Sequence, residues 1–125
     1  YYDLAGQDAV PDAVAIVRVE QLYPFPAEAL LATLARYPQA RQLVWVQEEP
    51  RNMGAWTFVA PRLEAMLAGK GRAGYVGRPE RASPAEGYEA SHKAEQARII
   101  AEALAVSEAA VDAEATPTEP EPASA

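Results

Sequence analysis

Residues 44–56 read VWVQEEPRNMGAW, and this stretch decides how the rest of the chain is arranged. An apolar run, Leu43–Val46, leads into two adjacent glutamates, a proline, an asparagine, a glycine and finally Trp56. A run that is apolar on both faces is typical of a strand covered on both sides in a parallel or mixed α/β sheet. The stretch therefore predicts a strand that turns sharply into a helix.

The segments upstream of this turn follow the same strand–helix alternation. Residues 1–13 are polar and predict a lead-in that follows a strand or linker. Val14–Glu20 is a β-branched run of strand length. Apolar residues at helical spacing then fill 27–34, and Pro38 ends that helix.

Downstream of the turn, residues 56–67 carry an apolar stripe at helical spacing, which Pro61 is expected to kink or split. Arg72–Gly77 predicts a short third strand, and an amphipathic helix is expected to begin near Ser91. The resulting order β-α-β-α-β-α predicts an α/β fold, a three-layer α/β/α sandwich with a mostly parallel sheet.

Composition divides the 125 residues into one domain and a tail. We expect the domain to span 1–105, which is long enough for a single core. Residues 106–125 are mostly Ala, Glu, Pro, Thr and Ser, with little to bury, and predict a disordered acidic tail. No methionine precedes Tyr1, so we also expect the chain to be a piece of a longer polypeptide.

Charge and cysteine content exclude several function classes. Of the net charge of −7, five negative charges lie in the tail, which leaves the domain close to neutral and without the basic footprint of a nucleic-acid binder. The chain has no cysteine, which excludes disulfides, thiolate nucleophiles and Cys-type zinc sites. No apolar run reaches the roughly 18 residues of a membrane span.

The paired acids Glu48 and Glu49 invite a catalytic interpretation. Neighbours on an extended chain point to opposite faces, so they are poorly placed to act together as acid and base. We favour a structural role in which one glutamate caps a helix or pairs with an arginine while the other faces solvent. The two tryptophans, Trp45 and Trp56, are most simply core and interface anchors.

The remaining polar residues do not compose a catalytic or metal site. His92 is the only histidine, so a metal site built by protein ligands alone is improbable. The glycines lack the spacing of a nucleotide-binding loop. Arg72, Arg78 and Arg81 could bind an anion, although arginines in a turn region more often form a solvated or interface patch.

Three segments together resemble a known family. They are VAIVRVEQLYPFP at 14–26, VWVQEEPRNMGAW at 44–56 and YVGRPERASPAEGYEASHKAEQARIIAEAL at 75–104. In this order and spacing they are similar to the C-terminal end of the E1 component of 2-oxoglutarate dehydrogenase. The resemblance covers about residues 1–105 and implies a transketolase-like C-terminal domain.

The resemblance implies an activity for the whole E1 rather than for this segment. Such an E1 decarboxylates 2-oxoglutarate on thiamine diphosphate and transfers a succinyl group to the lipoyl-lysine of the E2 succinyltransferase, a step of the tricarboxylic acid cycle. The thiamine diphosphate and Mg²⁺ are expected in upstream domains, so no catalytic, cofactor or metal residue is predicted here. The implied partners are the remainder of the E1 chain, a homodimer partner and E2. The Ala- and Arg-rich composition fits a bacterial cytoplasm better than a mitochondrial matrix, although a matrix protein would keep the same domain.

Residue by residue, the resemblance marks one turn and a weaker second site. The signature of the strand-to-helix turn and its interface comprises Gln47, Glu48, Glu49, Asn52, Gly54 and Trp56. A possible contact to a regulatory ligand or anion comprises Gln21, Arg78 and His92. In some bacterial branches this domain contributes to an acetyl-CoA site, but Ala27–Ala29 occupy positions where basic residues are expected, so we predict weak or absent acetyl-CoA control.

Two alternatives stay open from the sequence. Another transketolase-like enzyme, such as a pyruvate dehydrogenase E1 or a 1-deoxyxylulose-phosphate synthase, fits the fold but not the Gly77–Pro84 stretch. A stand-alone protein-interaction or regulatory-ligand-binding α/β module fits the lack of a self-contained catalytic site. Several hundred upstream residues with a cofactor motif would exclude the module.

Overall fold

The computed structural model describes residues 1–8, 10–69, 72–83 and 87–112, with side chains through residue 105. Six elements follow one another in these residues: α1 (Tyr2–Ala5), α2 (Ala27–Leu34), β1 (Leu43–Pro50), α3 (Trp56–Leu67), β2 (Ala73–Arg78) and α4 (Glu89–Asp112). The order of β1, α3 and β2 is a β-α-β unit.

The two strands pair in parallel, with Leu43 opposite Ala73 and Val46 opposite Val76. The register then shifts, so that Pro50 stands opposite Arg78. β1 therefore advances four residues where β2 advances two, and the surplus residues bulge out of the ladder. This irregularity falls on Gln47–Glu49, directly before the turn into α3.

The core lies where α3 and α4 pack against the sheet. Its buried apolar side chains are Val59, Leu63, Val76 and Ile99. Val59 and Leu63 are four residues apart on α3, which is the spacing that places two side chains on one helix face. The core is small, and several large apolar side chains remain exposed elsewhere, Tyr23 and Tyr88 among them.

The predicted strand at Val14–Glu20 is wrong. This segment belongs to no strand in the structure. A cavity of about 970 Å³ separates it from β1. Strand propensity is realised only when a neighbouring backbone offers hydrogen-bond partners, and here the nearest strand lies across the cavity. The observed order is thus α-α-β-α-β-α, with a two-stranded parallel sheet, in place of the predicted three strands.

Two helices, α1 and α3, also differ from prediction. α1 forms inside the predicted polar lead-in. α3 continues through Pro61 as one helix, so the predicted split does not occur. Pro61 and Thr57 are both exposed, and water can therefore reach the Thr57 carbonyl that lacks its usual helical donor.

The last helix extends past the predicted domain boundary at residue 105. α4 ends at Asp112, because the Ala- and Glu-rich composition that cannot build a core still favours helix. The rest of the predicted tail, 113–125, lies outside the described residues. Within the described ranges, no helix combines the length and apolarity needed to cross a membrane.

Candidate functional site in the turn between β1 and α3

The Gln47 turn, which we define as residues 47–56, is organised around one buried amide. The Gln47 side chain is 8% exposed. Its Nε2 donates to the carbonyl oxygens of Glu49 at 3.3 Å, Pro50 at 3.2 Å and Met53 at 2.9 Å. Two hydrogens serve three acceptors, so at least one hydrogen is shared. The amide group therefore holds the backbone of the turn in a closed loop.

The oxygen of the same amide fixes the start of α3. Gln47 Oε1 accepts from the indole Nε1 of Trp45 at 2.9 Å and from the backbone N–H of Trp56 at 3.1 Å. The N-cap residue of α3 is Ala55, which has no side-chain acceptor of its own. A helix begins with unpaired N–H groups, and Gln47 supplies an acceptor to the first of them from the preceding strand. The capping role that the sequence suggested for a glutamate thus belongs to Gln47.

Gly54 closes the turn because no larger residue fits. Its φ is +66°, in the left-handed region. A Cβ at this position would lie 2.9 Å from Glu49 Cβ and 3.1 Å from Gln47 Nε2. The glycine is therefore required both by backbone conformation and by the close approach of the amide group.

Asn52 ties the turn to the loop after β2. Its Nδ2 donates to the carbonyl of Arg81 at 2.9 Å, and its Oδ1 accepts from the N–H of Arg81 at 3.1 Å. One side-chain amide thus pairs both backbone groups of one residue, as a neighbouring strand would. Next to it, the Arg51 N–H donates to the Arg78 carbonyl at 3.0 Å. The turn and the end of β2 form one unit.

Aromatic side chains and a cation cover the outside of this unit. The rings of Trp56 and Tyr75 lie 5.1 Å apart in a tilted arrangement. The Arg51 guanidinium lies 5.7 Å from the Trp56 ring and 5.1 Å from the Tyr75 ring. Cation–π contacts of this kind contribute about 0.5–1 kcal/mol at exposed sites. Neither the position of Tyr75 nor this stacking was foreseen from the sequence, because the two rings meet only across the sheet.

The Tyr75 hydroxyl joins the two backbone strands. It lies 3.1 Å from the Glu49 carbonyl and 3.0 Å from the Arg78 carbonyl. Burial raises the pKa of the phenol above its usual value, although a hydrogen bond with Gln47 and the nearby arginines oppose that shift. The neutral, donating form is therefore the one that the fold favours.

Glu48 and Glu49 are both exposed, and they make hydrogen bonds to different groups. Glu48 Oε1 accepts from Gln96 Nε2 at 2.9 Å, and the same nitrogen donates to Asp3 at 2.7 Å. Glu49 contributes its backbone carbonyl to the turn. The Glu48 side chain thus links β1 to α4 through Gln96, and Gln96 in turn contacts Asp3 of α1. This is a structural role and not one in proton transfer.

The three residues predicted as an anion contact lie on separate elements. The Gln21 amide donates to the nearby Pro24 carbonyl at 3.3 Å, in the loop before α2. Arg78 is 8% exposed at the end of β2, and its Nε donates to the Glu48 carbonyl. His92 is exposed in the first turn of α4. The structure brings Arg78 into the Gln47 turn and leaves the other two outside it.

A second arginine holds the far side of β2. Arg98 Nη2 donates to the Gly77 carbonyl at 3.0 Å and to Glu95 at 2.9 Å, while Nη1 donates to Glu102 at 2.6 Å. The hydrogen bond from Arg98 lowers the pKa of Glu95, and the same bond raises the pKa of Arg98. The i,i+3 and i,i+4 spacing of Glu95, Arg98 and Glu102 along α4 is the sequence signal for these ion pairs.

The assembled chemistry is that of a rigid connector. Among the residues that the structure describes, no three His, Cys, Asp or Glu side chains converge to hold a metal ion. The polar groups of the Gln47 turn satisfy one another and the local backbone. The groups of the turn that are exposed to a neighbouring surface are the Arg51 guanidinium, stacked on two aromatic rings, and the carboxylates of Glu48 and Glu49.

The chain that carries this turn is similar to one family of known proteins. Residues 1–104 match the family described as 2-oxoglutarate dehydrogenase C-terminal. The chain is 57% identical over 93 residues to a 2-oxoglutarate dehydrogenase E1 component of Exiguobacterium sp., and 52% identical over 95 residues to one of Bacillus cereus. A Bacillus mycoides E1 component is 53% identical over 95 residues. These alignments cover 74–76% of this chain and 10% of each relative, so the chain spans about a tenth of their length.

Proposed function

The chain belongs to the 2-oxoglutarate dehydrogenase C-terminal family, and from this membership we propose that it serves as the C-terminal structural and regulatory domain of an E1 component. The whole E1 would decarboxylate 2-oxoglutarate and transfer a succinyl group to lipoyl-bearing E2. The observation that carries the proposal is the family match over residues 1–104, which contains the entire Gln47 turn. The relatives' names as E1 components support the same activity.

A scaffolding role for this domain is supported by the geometry of the turn. The amides of Gln47 and Asn52 are both committed to backbone groups within the chain. Such residues fix a surface and do not react. We propose that the surface carried by Glu48, Glu49 and Trp56 contacts the remainder of the E1 chain or its homodimer partner. Arg51, which stacks on the Trp56 and Tyr75 rings, would belong to the same surface.

The cofactors are assigned to the upstream part of the E1. Thiamine diphosphate needs a diphosphate cradle and a Mg²⁺ site, and Mg²⁺ prefers carboxylate and carbonyl oxygens in octahedral geometry. The described residues offer no converging set of such ligands.

Three finer features complete the proposal. In the whole E1 the two-stranded sheet would be part of a three-layer α/β/α sandwich. The domain would span 1–105, followed by an acidic tail over 106–125. We place the enzyme in the bacterial cytoplasm, in keeping with its bacterial relatives.

Regulation by an anionic ligand is proposed to be weak. Arg78 is buried and donates to the Glu48 carbonyl, so binding an anion would require it to leave that partner. Gln21 and His92 are exposed and could still contact a ligand. Ala27, Glu28 and Ala29 begin α2 without a basic residue, so an acetyl-CoA phosphate lacks charged partners there.

The proposal is tested on the full-length polypeptide that contains this chain. The assay follows reduction of an artificial electron acceptor with 2-oxoglutarate or pyruvate, with and without thiamine diphosphate and Mg²⁺. Cofactor-dependent turnover of 2-oxoglutarate, with little on pyruvate, is expected. Absence of turnover on every 2-oxoacid would move the interaction-module alternative to first place.

A further inference from the structure

We propose that the acidic segment 106–125 folds back and binds a basic edge of its own domain through ion pairs. The basic edge, as we define it, comprises Arg36, Arg41 and Arg72. The segment carries five acidic side chains and neither lysine nor arginine. The inference goes beyond the proposed function and does not depend on it.

The basic edge lies where both strands begin, at the end of the sheet opposite the Gln47 turn. Leu43 of β1 pairs with Ala73 of β2, so the residues that directly precede the two strands meet at this end. Arg72 directly precedes β2, and Arg41 lies two positions before β1. Arg36 lies in the connection between α2 and β1. The side chains of all three arginines are exposed.

Positive charge is in excess around this edge. Arg36 and Arg41 line the cavity beside β1, where Arg18 adds a third guanidinium and Asp12 is the one acid among the lining residues. Neither Arg36 nor Arg72 forms an ion pair with another residue of the described ranges. A surface with an excess of one charge attracts segments of the opposite charge. An acidic polypeptide segment is therefore a suitable occupant.

The direction of α4 brings the acidic segment toward the basic edge. Gln96 contacts Glu48, near the end of β1, whereas Leu104 lines the same cavity as Leu43, at the start of β1. α4 thus runs antiparallel to β1, away from the Gln47 turn, and ends at Asp112. A fully extended chain over residues 113–125 would span up to about 43 Å. The segment is therefore long enough to return to the edge.

The charge at the end of α4 favours the same contact. A helix C-terminus carries a partial negative charge, which cations stabilise and acidic residues make less favourable. The last turn of α4 contains no basic residue. Asp112 is its final residue, and Glu108 precedes it by about one turn. A nearby cationic surface would offset this concentration of negative charge.

The contact is a property of this chain's own sequence. The family match ends at residue 104, so the acidic segment lies outside it. The segment has little apolar surface to bury, and charge is therefore the interaction that would hold it. Surface ion pairs are screened by salt. The segment should cover the basic edge at low ionic strength and leave it at high ionic strength.

Arginine modification by phenylglyoxal tests this cover in the full-length polypeptide that contains this chain. A guanidinium paired with a carboxylate reacts more slowly than a solvated one. The comparison protein carries five amide substitutions: Glu108→Gln, Asp112→Asn, Glu114→Gln, Glu119→Gln and Glu121→Gln. Arg36 and Arg72 should react about threefold faster in it at low salt, in keeping with the modest strength of surface ion pairs. The difference should vanish in about 1 M salt, where the screening length falls to about 3 Å.

Arg51, in the Gln47 turn at the opposite end of the sheet, is the internal control. Its modification rate should be the same in both proteins. Equal rates at Arg36 and Arg72 in the two proteins at low salt would overturn the inference. An increase at Arg51 as large as that at Arg72 would also overturn it, because it would reveal a general effect of net charge.

Carbodiimide coupling, which joins an amine to a carboxylate in direct contact, identifies the occupant. Lys70 and Lys93 are the two lysines of this chain. Lys70→Arg/Arg72→Lys preserves the charge and puts an amine at position 72, which should couple to an acid of segment 106–125. Such a product keeps the mass of a single chain on a denaturing gel. Lys93, which pairs with Glu89 at 2.7 Å in the first turn of α4, is the control amine and should not couple to the segment.

The other coupling outcomes contradict the inference. Coupling of position 72 to a second copy of the chain would give a product of twice the mass and assign the edge to an intermolecular contact. Coupling to a different segment, to another protein or to nothing would exclude the acidic segment as the occupant.

Both readouts are independent of enzyme activity. Turnover of 2-oxoglutarate by a polypeptide whose basic edge is uncovered would refute the contact and leave the proposed function intact. A covered edge without turnover would support the contact and count against the function alone.

Discussion

Gln47 accepts the first backbone N–H of α3, from Trp56, nine residues further along the chain and 3.1 Å away. The same side chain closes the turn between these two residues through the carbonyls of Glu49, Pro50 and Met53. A strand residue thus supplies the cap that the helix's own N-cap position, Ala55, lacks. The consequence is that the end of β1 and the start of α3 should form and break together.

Asn52 is expected to couple this turn to the segment after β2. Asn52→Ala removes both hydrogen bonds to the Arg81 backbone and should destabilise the fold by about 1–3 kcal/mol, since each bond contributes about 0.5–1.5 kcal/mol. Amide exchange at Arg81 measures the local effect. It should quicken at Arg81 while exchange at Val59 in the core changes little. Unchanged exchange at Arg81 would mean that the pairing is not maintained in solution.

The glycines of this region should differ sharply in their tolerance of alanine. Gly54→Ala combines a φ of +66° with a Cβ contact of 2.9 Å and should cost about 1–3 kcal/mol. Gly77→Ala should cost at least as much, because its Cβ would lie 2.8 Å from the Gln47 carbonyl oxygen. Gly87→Ala, with no atom within 4 Å and no positive φ, is the matched control. Chemical denaturation ranks the three; equal midpoints would refute the close packing described here.

Trp56 should stabilise the domain through its stacking with Tyr75 and Arg51. Trp56→Ala removes a partly buried aromatic and should lower the unfolding free energy by up to about 3 kcal/mol, whereas Trp56→Phe keeps a ring and should lose less. Thermal unfolding of the full-length polypeptide that contains this chain, followed together with its oligomeric state, is the measurement. A melting temperature and an oligomeric state equal to those of wild type would contradict the packing role of Trp56.

The Glu95–Arg98 pair predicts a specific loss of stability in acid. Arg98 lowers the pKa of Glu95 below its ordinary value of 4.5, so the unfolded state binds a proton at higher pH than the folded state does. The stabilisation is therefore present above pH 4.5 and is lost as pH falls through the lower, folded-state pKa. The gap in unfolding free energy between wild type and Glu95→Gln should shrink over that range. Glu64→Gln, on the exposed face of α3, is the control; a gap that does not depend on pH would contradict the assignment.

The local pattern of apolar residues was sufficient to predict most helices and strands. It was not sufficient to predict which strands pair. The apolar spacing of 27–34 and of 56–67 matches α2 and α3, and the runs at 43–46 and 72–77 match β1 and β2. Residues 14–20 have the same strand propensity but remain unpaired, because pairing depends on a partner distant in the chain. Pro61 was given too much weight, since an exposed helix can leave one carbonyl to solvent.

In the Gln47 turn, too, the local features could be predicted from the sequence, whereas the contacts between distant residues could not. The motif at 44–56 marked the correct turn, and Gly54 and Trp56 lie in it as the motif suggested. The reciprocal pairing of Asn52 with Arg81, and the contact of Arg51 with Tyr75, join residues 24–29 positions apart, and no spacing rule connects them. In the sequence, Gln47 stands out only as a member of the motif. Its role depends on the burial of its amide and on the three backbone carbonyls that surround it, and neither is visible in the sequence.

The most direct test concerns Gln47 in the full-length enzyme. Gln47→Ala leaves two N–H groups and three carbonyls without their partner and should lower the unfolding free energy by about 3 kcal/mol or more, whereas the exposed Gln39→Ala should change it by less than about 0.5 kcal/mol. If the full-length protein has the proposed activity and this domain is a scaffold, the folded Gln47→Ala variant should retain its kcat and KM for 2-oxoglutarate within about twofold, a difference of about 0.4 kcal/mol. A variant with wild-type stability and a large fall in kcat would contradict the scaffold role and place Gln47 in the chemistry.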